Sequence, residues 1–147
     1  LSPGEEVRLK NAYIIKAVDV IKDEKGSITE VLCEYDPKSK SGSNTPESNR
    51  KVKGTIHWVS AKEAVRAKIN IYDRLFKVEE PGKNTTIEND INENSLITKE
   101  AFVEPYLLKA KDGQQYQFQR LGYFVKTDNQ KTLEFNKTVG LKDGWKK

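Results

Sequence analysis

Apolar residues in this chain come in short runs of two-residue period, each stopped by Gly, Pro, Asn or Asp, and that pattern specifies strands rather than helices. Val7-Arg8-Leu9-Lys10 alternates strictly, apolar against cationic, and opens a strand-like stretch that continues to Ile15. Residues 17–21 and 28–35 form a hairpin about Asp23-Glu24-Lys25-Gly26, where Gly supplies a positive φ. Residues 51–59 return to β-branched and aromatic character, with Gly54 at a bulge or close approach, and are expected to pair with that hairpin. Ser60-Ala61-Lys62-Glu63 matches a capping box, so a short helix is predicted over residues 61–67 before the strand-like Ile69-Asn70-Ile71-Tyr72. Further runs at 101–104, 106–108, 115–120, 122–126 and 132–136 are separated by Pro105, Asp112-Gly113 and Asp128-Asn129. Short strands at regular spacing with little helix predict an all-β barrel or sandwich architecture.

Two stretches break the pattern. Residues 36–49 are almost wholly Pro, Lys, Ser, Gly, Asn, Thr and Glu, which predicts a mobile loop with nothing apolar to anchor it. Residues 83–94 read as a second exposed polar loop.

Composition removes several function classes. Apolar residues make up 35% of 147, and no run approaches the roughly 20 needed to span a bilayer, so no membrane partner is expected. One His and one Cys cannot make a zinc cluster, a Cys/His dyad or an internal disulfide, and the expected setting is the reducing cytoplasm. No phosphate-binding lysine loop, dinucleotide glycine fingerprint or nucleophile elbow occurs, so no catalytic or metal-binding residue is assigned. His57 and Cys33 both read as structural, Cys33 as a small buried hydrophobe.

What remains is the placement of cations. The net charge of +4 permits a polyanion without requiring one, because 26 Lys and Arg face 22 Asp and Glu. Arg8 and Lys10, two apart on a strand, share one face and could hold a phosphate or base edge, although by composition alone a solvated strand face is the better reading. Tyr116-Gln117-Phe118-Gln119-Arg120 interleaves aromatics, amides and a guanidinium, which suits stacking and hydrogen bonding of unpaired bases.

These same segments carry a resemblance. Residues 7–16, 50–60, 71–76, 117–124 and 135–143 resemble, in order, the C-terminal region of bacterial glutaminyl-tRNA synthetases. The resemblance spans nearly the whole chain apart from residues 36–49 and 82–90. It implies two linked, ribosomal-protein-like anticodon-binding β-barrels with one or two short helices, one barrel incomplete because the chain is a fragment. Residues 1–62 would be mainly the distal barrel and 63–147 the returning strands of the proximal one. It also implies that Arg8 and Lys10 bind the first anticodon nucleotide and that Gln117 and Arg120 read the middle uridine. A glutamine amide can accept from uracil N3 and donate to O4, whereas Lys10 stands where the family carries Arg and suits a phosphate better.

The His-Ile-Gly-His-like and Lys-Met-Ser-Lys-Ser-like signatures of the catalytic domain are absent, so ATP, magnesium and glutamine would bind outside this chain. The expected partner is glutamine tRNA through its anticodon loop, with no DNA, to a monomeric protein. A ribosomal-protein-like RNA-binding barrel and a non-RNA interaction domain are the alternatives that fold alone leaves open. One conflict is internal to the reading: strict alternation puts Gln117 and Arg120 on opposite faces. The strand is therefore expected to end or bulge near Arg120, with Gly122 supplying the irregularity.

Overall fold

The computed structural model describes residues 1–129 and 131–141, which form two compact units, one over Leu1–Trp58 and the other from Val59 onward. Both are built on a single antiparallel-rich sheet, so the all-β expectation holds. The end of the last resembling segment, Lys142 and Asp143, lies outside the described residues. No described helix is long and apolar enough to cross a membrane.

The first unit contains β1 (Glu6–Leu9), β2 (Ile14–Lys22), β3 (Ile28–Tyr35) and β4 (Thr55–Ile56) in the order β3-β2-β1-β4. The β2–β3 hairpin turns where Asp23 and Gly26 predict, with Gly26 at a φ of 79° and the Asp23 carboxylate accepting from the Lys25 and Ser27 amides. The predicted strand over 51–59 shrinks to two residues. β4 runs parallel to β1, which is itself only four residues long, so the ladder ends after Gly54 O accepts from Arg8 N and Ile56 O from Lys10 N.

Only Ile14 and Ala17 are buried apolar residues here, and the other two buried side chains are Ser39 and Ser48. So small an apolar core cannot by itself offset the chain entropy of some 60 residues. Cys33 is a correction: it lies on β3, the sheet's edge strand, every residue of which is exposed, so no packed layer buries either of its faces.

The second unit orders its strands β6-β5-β9-β8-β7: β5 (Val65–Tyr72), β6 (Leu96–Val103), β7 (Gln115–Phe118), β8 (Gly122–Lys126) and β9 (Glu134–Val139). Ala67, Ile69, Val103, Leu107, Phe124 and Phe135 form its core, with Tyr116 and Phe118 packed against them. The helix predicted over 61–67 is a single turn, in which the Ser60 carbonyl accepts from the Glu63 and Ala64 amides. A longer helix would cost β5 its pairing with β6 from Val65 onward and withdraw Ala67 from the core. Residues 106–108 also depart from an extended run. Pro105 opens a 3₁₀ turn, Pro105–Lys109, that buries Leu107 and leaves Tyr106 and Leu108 exposed.

Both polar loops contain structure. Residues 36–49 hold a 3₁₀ turn, Pro37–Ser39, and α1 (Pro46–Asn49); Asp36 caps the first through Lys38 N and Thr45 caps the second through Ser48 N. In the other loop lies α2 (Ile87–Asp90), and the Asp90 carboxylate accepts from Gly82 N at 2.9 Å and Thr85 Oγ1 at 2.6 Å.

Candidate nucleic-acid interface

The two pairs of residues picked out in the sequence fall one in each unit. Arg8 is in β1, while Lys10 falls one residue past its end, in the turn that Asn11 completes at a φ of 58°. The shared strand face expected for them is therefore lost, because β1 stops at Leu9. Lys10 is held by its backbone, its N–H on Ile56 O and its carbonyl accepting from Trp58 Nε1 at 3.0 Å. Its ammonium makes no hydrogen bond or ion pair among the described residues, which suits contact with an external anion.

Arg8 is occupied. Nη2 donates to Ser48 O at 2.6 Å and Arg50 O at 3.4 Å, and Nη1 to Ser39 O at 3.2 Å and Ser41 Oγ at 3.5 Å. A planar fork with several donors is the side chain that can gather carbonyls from three points of one loop. Ser39, fully buried, adds a second tie: its Oγ accepts from Ile14 N at 2.7 Å and donates to Asp36 O at 2.6 Å. Arg50 closes the segment with ion pairs to Asp36 at 3.1 Å and Glu6 at 3.2 Å, and the Asp36 hydrogen bond leads in pushing its pKa further up. Residues 36–49 thus have an anchor that composition hides, since it is polar and starts from β1.

Gln117 lies on β7, exposed. The reason is the pair of aromatics that flank it. Phe118 stacks on Phe124 with ring centroids 4.3 Å apart and meets Phe135 at 5.4 Å, and Tyr116 meets Phe135 edge-on at 5.9 Å. Burial raises the pKa of the Tyr116 phenol, as expected of a ring turned inward. With 116 and 118 committed to the core, the period of two sends 115 and 117 outward.

β7 ends at Phe118, as the conflict in the alternation requires. Leu121 N closes a turn onto Phe118 O at 2.9 Å, Arg120 takes a φ of 65° and Gly122 one of 139°. Alternation stops before Arg120, which is exposed like Gln117. Across the hairpin Gln117 pairs in register with Tyr123, a residue the sequence reading placed in a strand but gave no role. Among the described residues no three His, Cys, Asp or Glu side chains come together as metal donors.

Comparison with known proteins adds a family to this geometry. A family model described as the anticodon-binding domain of class I (E and Q) tRNA synthetases matches residues 55–127, and a second model of the same description matches residues 1–36. Glutamine--tRNA ligase of Serratia proteamaculans is 48% identical over 147 residues, that of Vibrio parahaemolyticus 50%, and that of Proteus mirabilis 49% over 146. Each alignment takes in 98% of this chain and 26% of the relative, so the chain spans about a quarter of the length of these proteins.

Proposed function

The chain belongs to the anticodon-binding domains of the class I (E and Q) tRNA synthetases, and from that premise we propose that it reads the anticodon of glutamine tRNA as the C-terminal part of a glutamine--tRNA ligase. Residues 1–62 serve mainly as the distal anticodon-binding barrel and 63–147 as the returning strands of the proximal one. The parent protein is a cytoplasmic monomer, and its ATP, magnesium and glutamine act in a catalytic domain outside this chain. Binding energy at the anticodon is expressed as orientation of the distant acceptor end.

Gln117 and Arg120 read the middle uridine, and Lys10 takes a phosphate of the first anticodon nucleotide. Arg8 serves the same nucleotide by holding residues 36–50 in place, since its guanidinium is already engaged by Ser39, Ser41, Ser48 and Arg50. The observation that carries the assignment is the exit from β7: Gln117 and Arg120 are both exposed although a continuous strand would oppose them. A left-handed backbone costs an arginine about 1–2 kcal/mol relative to glycine, and strain of that kind collects at functional sites.

The test uses the full-length synthetase. Gln117→Ala should weaken use of tRNA with uridine at the middle position by roughly 1–3 kcal/mol, with less loss for other bases. Arg120→Ala should cost as much; a loss uniform across base substitutions, with the salt slope smaller by about one unit, would identify a phosphate partner. Normal aminoacylation by both folded variants at subsaturating tRNA would refute the assignment.

A further inference from the structure

An exposed tyrosine on a strand needs no function, since β-propensity alone accounts for it. Tyr123 has three further properties. It is 45% exposed between Gly122 and Phe124, both buried, so its ring stands on the outer face of the sheet. It pairs directly with Gln117 on β7, and opposed residues of an antiparallel ladder share a face with Cβ atoms about 4.5–5.5 Å apart. On its other side it pairs with Val139, which is 61% exposed, and the β8–β9 register slips between Tyr123 and Phe124. Such a slip re-aims a side chain and raises local twist. Thr138 Oγ1 fixes the irregularity by donating to Tyr123 O at 3.1 Å.

An amide and an aromatic ring side by side on one face are the two elements that hold an unstacked base, one for its edge and one for its π-face. Leu121, 63% exposed in the adjoining turn, and Val139 add apolar surface beside the ring. Resting on the reading that Gln117 meets the middle anticodon base, we propose that Tyr123 is the stacking surface for that same base. Stacking tolerates any base, so Tyr123 supplies affinity while Gln117 and Arg120 supply discrimination.

The test measures binding of glutamine tRNA transcripts to the full-length synthetase, with uridine or an abasic residue at the middle anticodon position. Tyr123→Phe keeps the ring and should bind within about twofold of wild type. Tyr123→Leu should bind the uridine transcript roughly 5- to 150-fold more weakly, yet bind the abasic transcript as wild type does. Equal weakening on both transcripts would mark Tyr123 as structural and overturn the proposal. Wild-type binding by Tyr123→Leu, with Gln117→Ala still impaired, would overturn it and leave the role of Gln117 standing. If neither variant is impaired, the reading of this strand fails, and the proposal with it.

Discussion

Ser39→Ala decides whether residues 36–49 are a tethered part of the first unit or a dispensable loop. The side chain is fully buried, and its Oγ is the acceptor for the amide of Ile14, itself 1% exposed. Removing that acceptor strands a buried N–H, at about 1–3 kcal/mol, and the lost bond to Asp36 O adds about 0.5–1.5 kcal/mol. A total of roughly 2–4 kcal/mol is large for a unit of 58 residues with two buried apolar side chains. With a urea slope near 1 kcal/mol/M for so small a unit, the midpoint should fall by roughly 2 M or more. Trp58 reports on this unit because its indole N–H is bonded to Lys10 O, so unfolding is followed by its fluorescence in a Trp145→Phe background. Ser43→Ala is the control, since Ser43 is exposed and bonds only to Lys40 O and Thr45 Oγ1 of the same loop. Its expected cost is below about 0.5 kcal/mol. If Ser39→Ala unfolds with the control, the buried hydroxyl contributes nothing to holding residues 36–49.

Gly122→Ala should destabilise the second unit by at least about 2 kcal/mol in denaturant unfolding, because a Cβ there would lie 2.6 Å from Val139 O at a φ of 139°. Glu134 is held below the usual glutamate range, first by the hydrogen bond from Asn129 and then by that from Asn70. A depressed folded pKa adds stability that is complete above the unfolded value of roughly 4.3 and is lost as pH falls through the lower folded value. Acid titration of stability should therefore show a flatter fall for Glu134→Gln than for wild type, and identical slopes would refute the assignment. Cys33, exposed on β3, should react with a thiol reagent in the native protein at one equivalent per chain without denaturant; protection until unfolding would show that the edge strand is covered.

Much of this architecture follows from local pattern. A period of two cannot bury one face of a helix, so Val7 to Leu9, Ile69 to Tyr72 and Gln115 to Phe118 had to become strands once water was excluded from one side. The turns at Asp23 to Gly26 and at Asp128-Asn129 were legible for the same reason: few residues accept those backbone angles or bond their own chain so readily. Gln117 was legible as an outward amide, because Tyr116 and Phe118 had to face inward.

Other features depended on partners distant in sequence. The capping box at Ser60 is a sound local signal, but the ladder from Val65 to β6 and the core place for Ala67 outweigh one turn of helix. Cys33 looks buried by composition, yet burial on a strand depends on what packs against it, and β3 lies at an edge. The fate of residues 36–49 turned on Arg8, some 30 to 40 residues earlier, whose fork satisfies carbonyls that composition cannot show. Arg120 and Tyr123 were settled last, by a left-handed residue and a slipped register. Periodicity determines which face a residue prefers, but only the pairing of strands decides which side chains stand together on it.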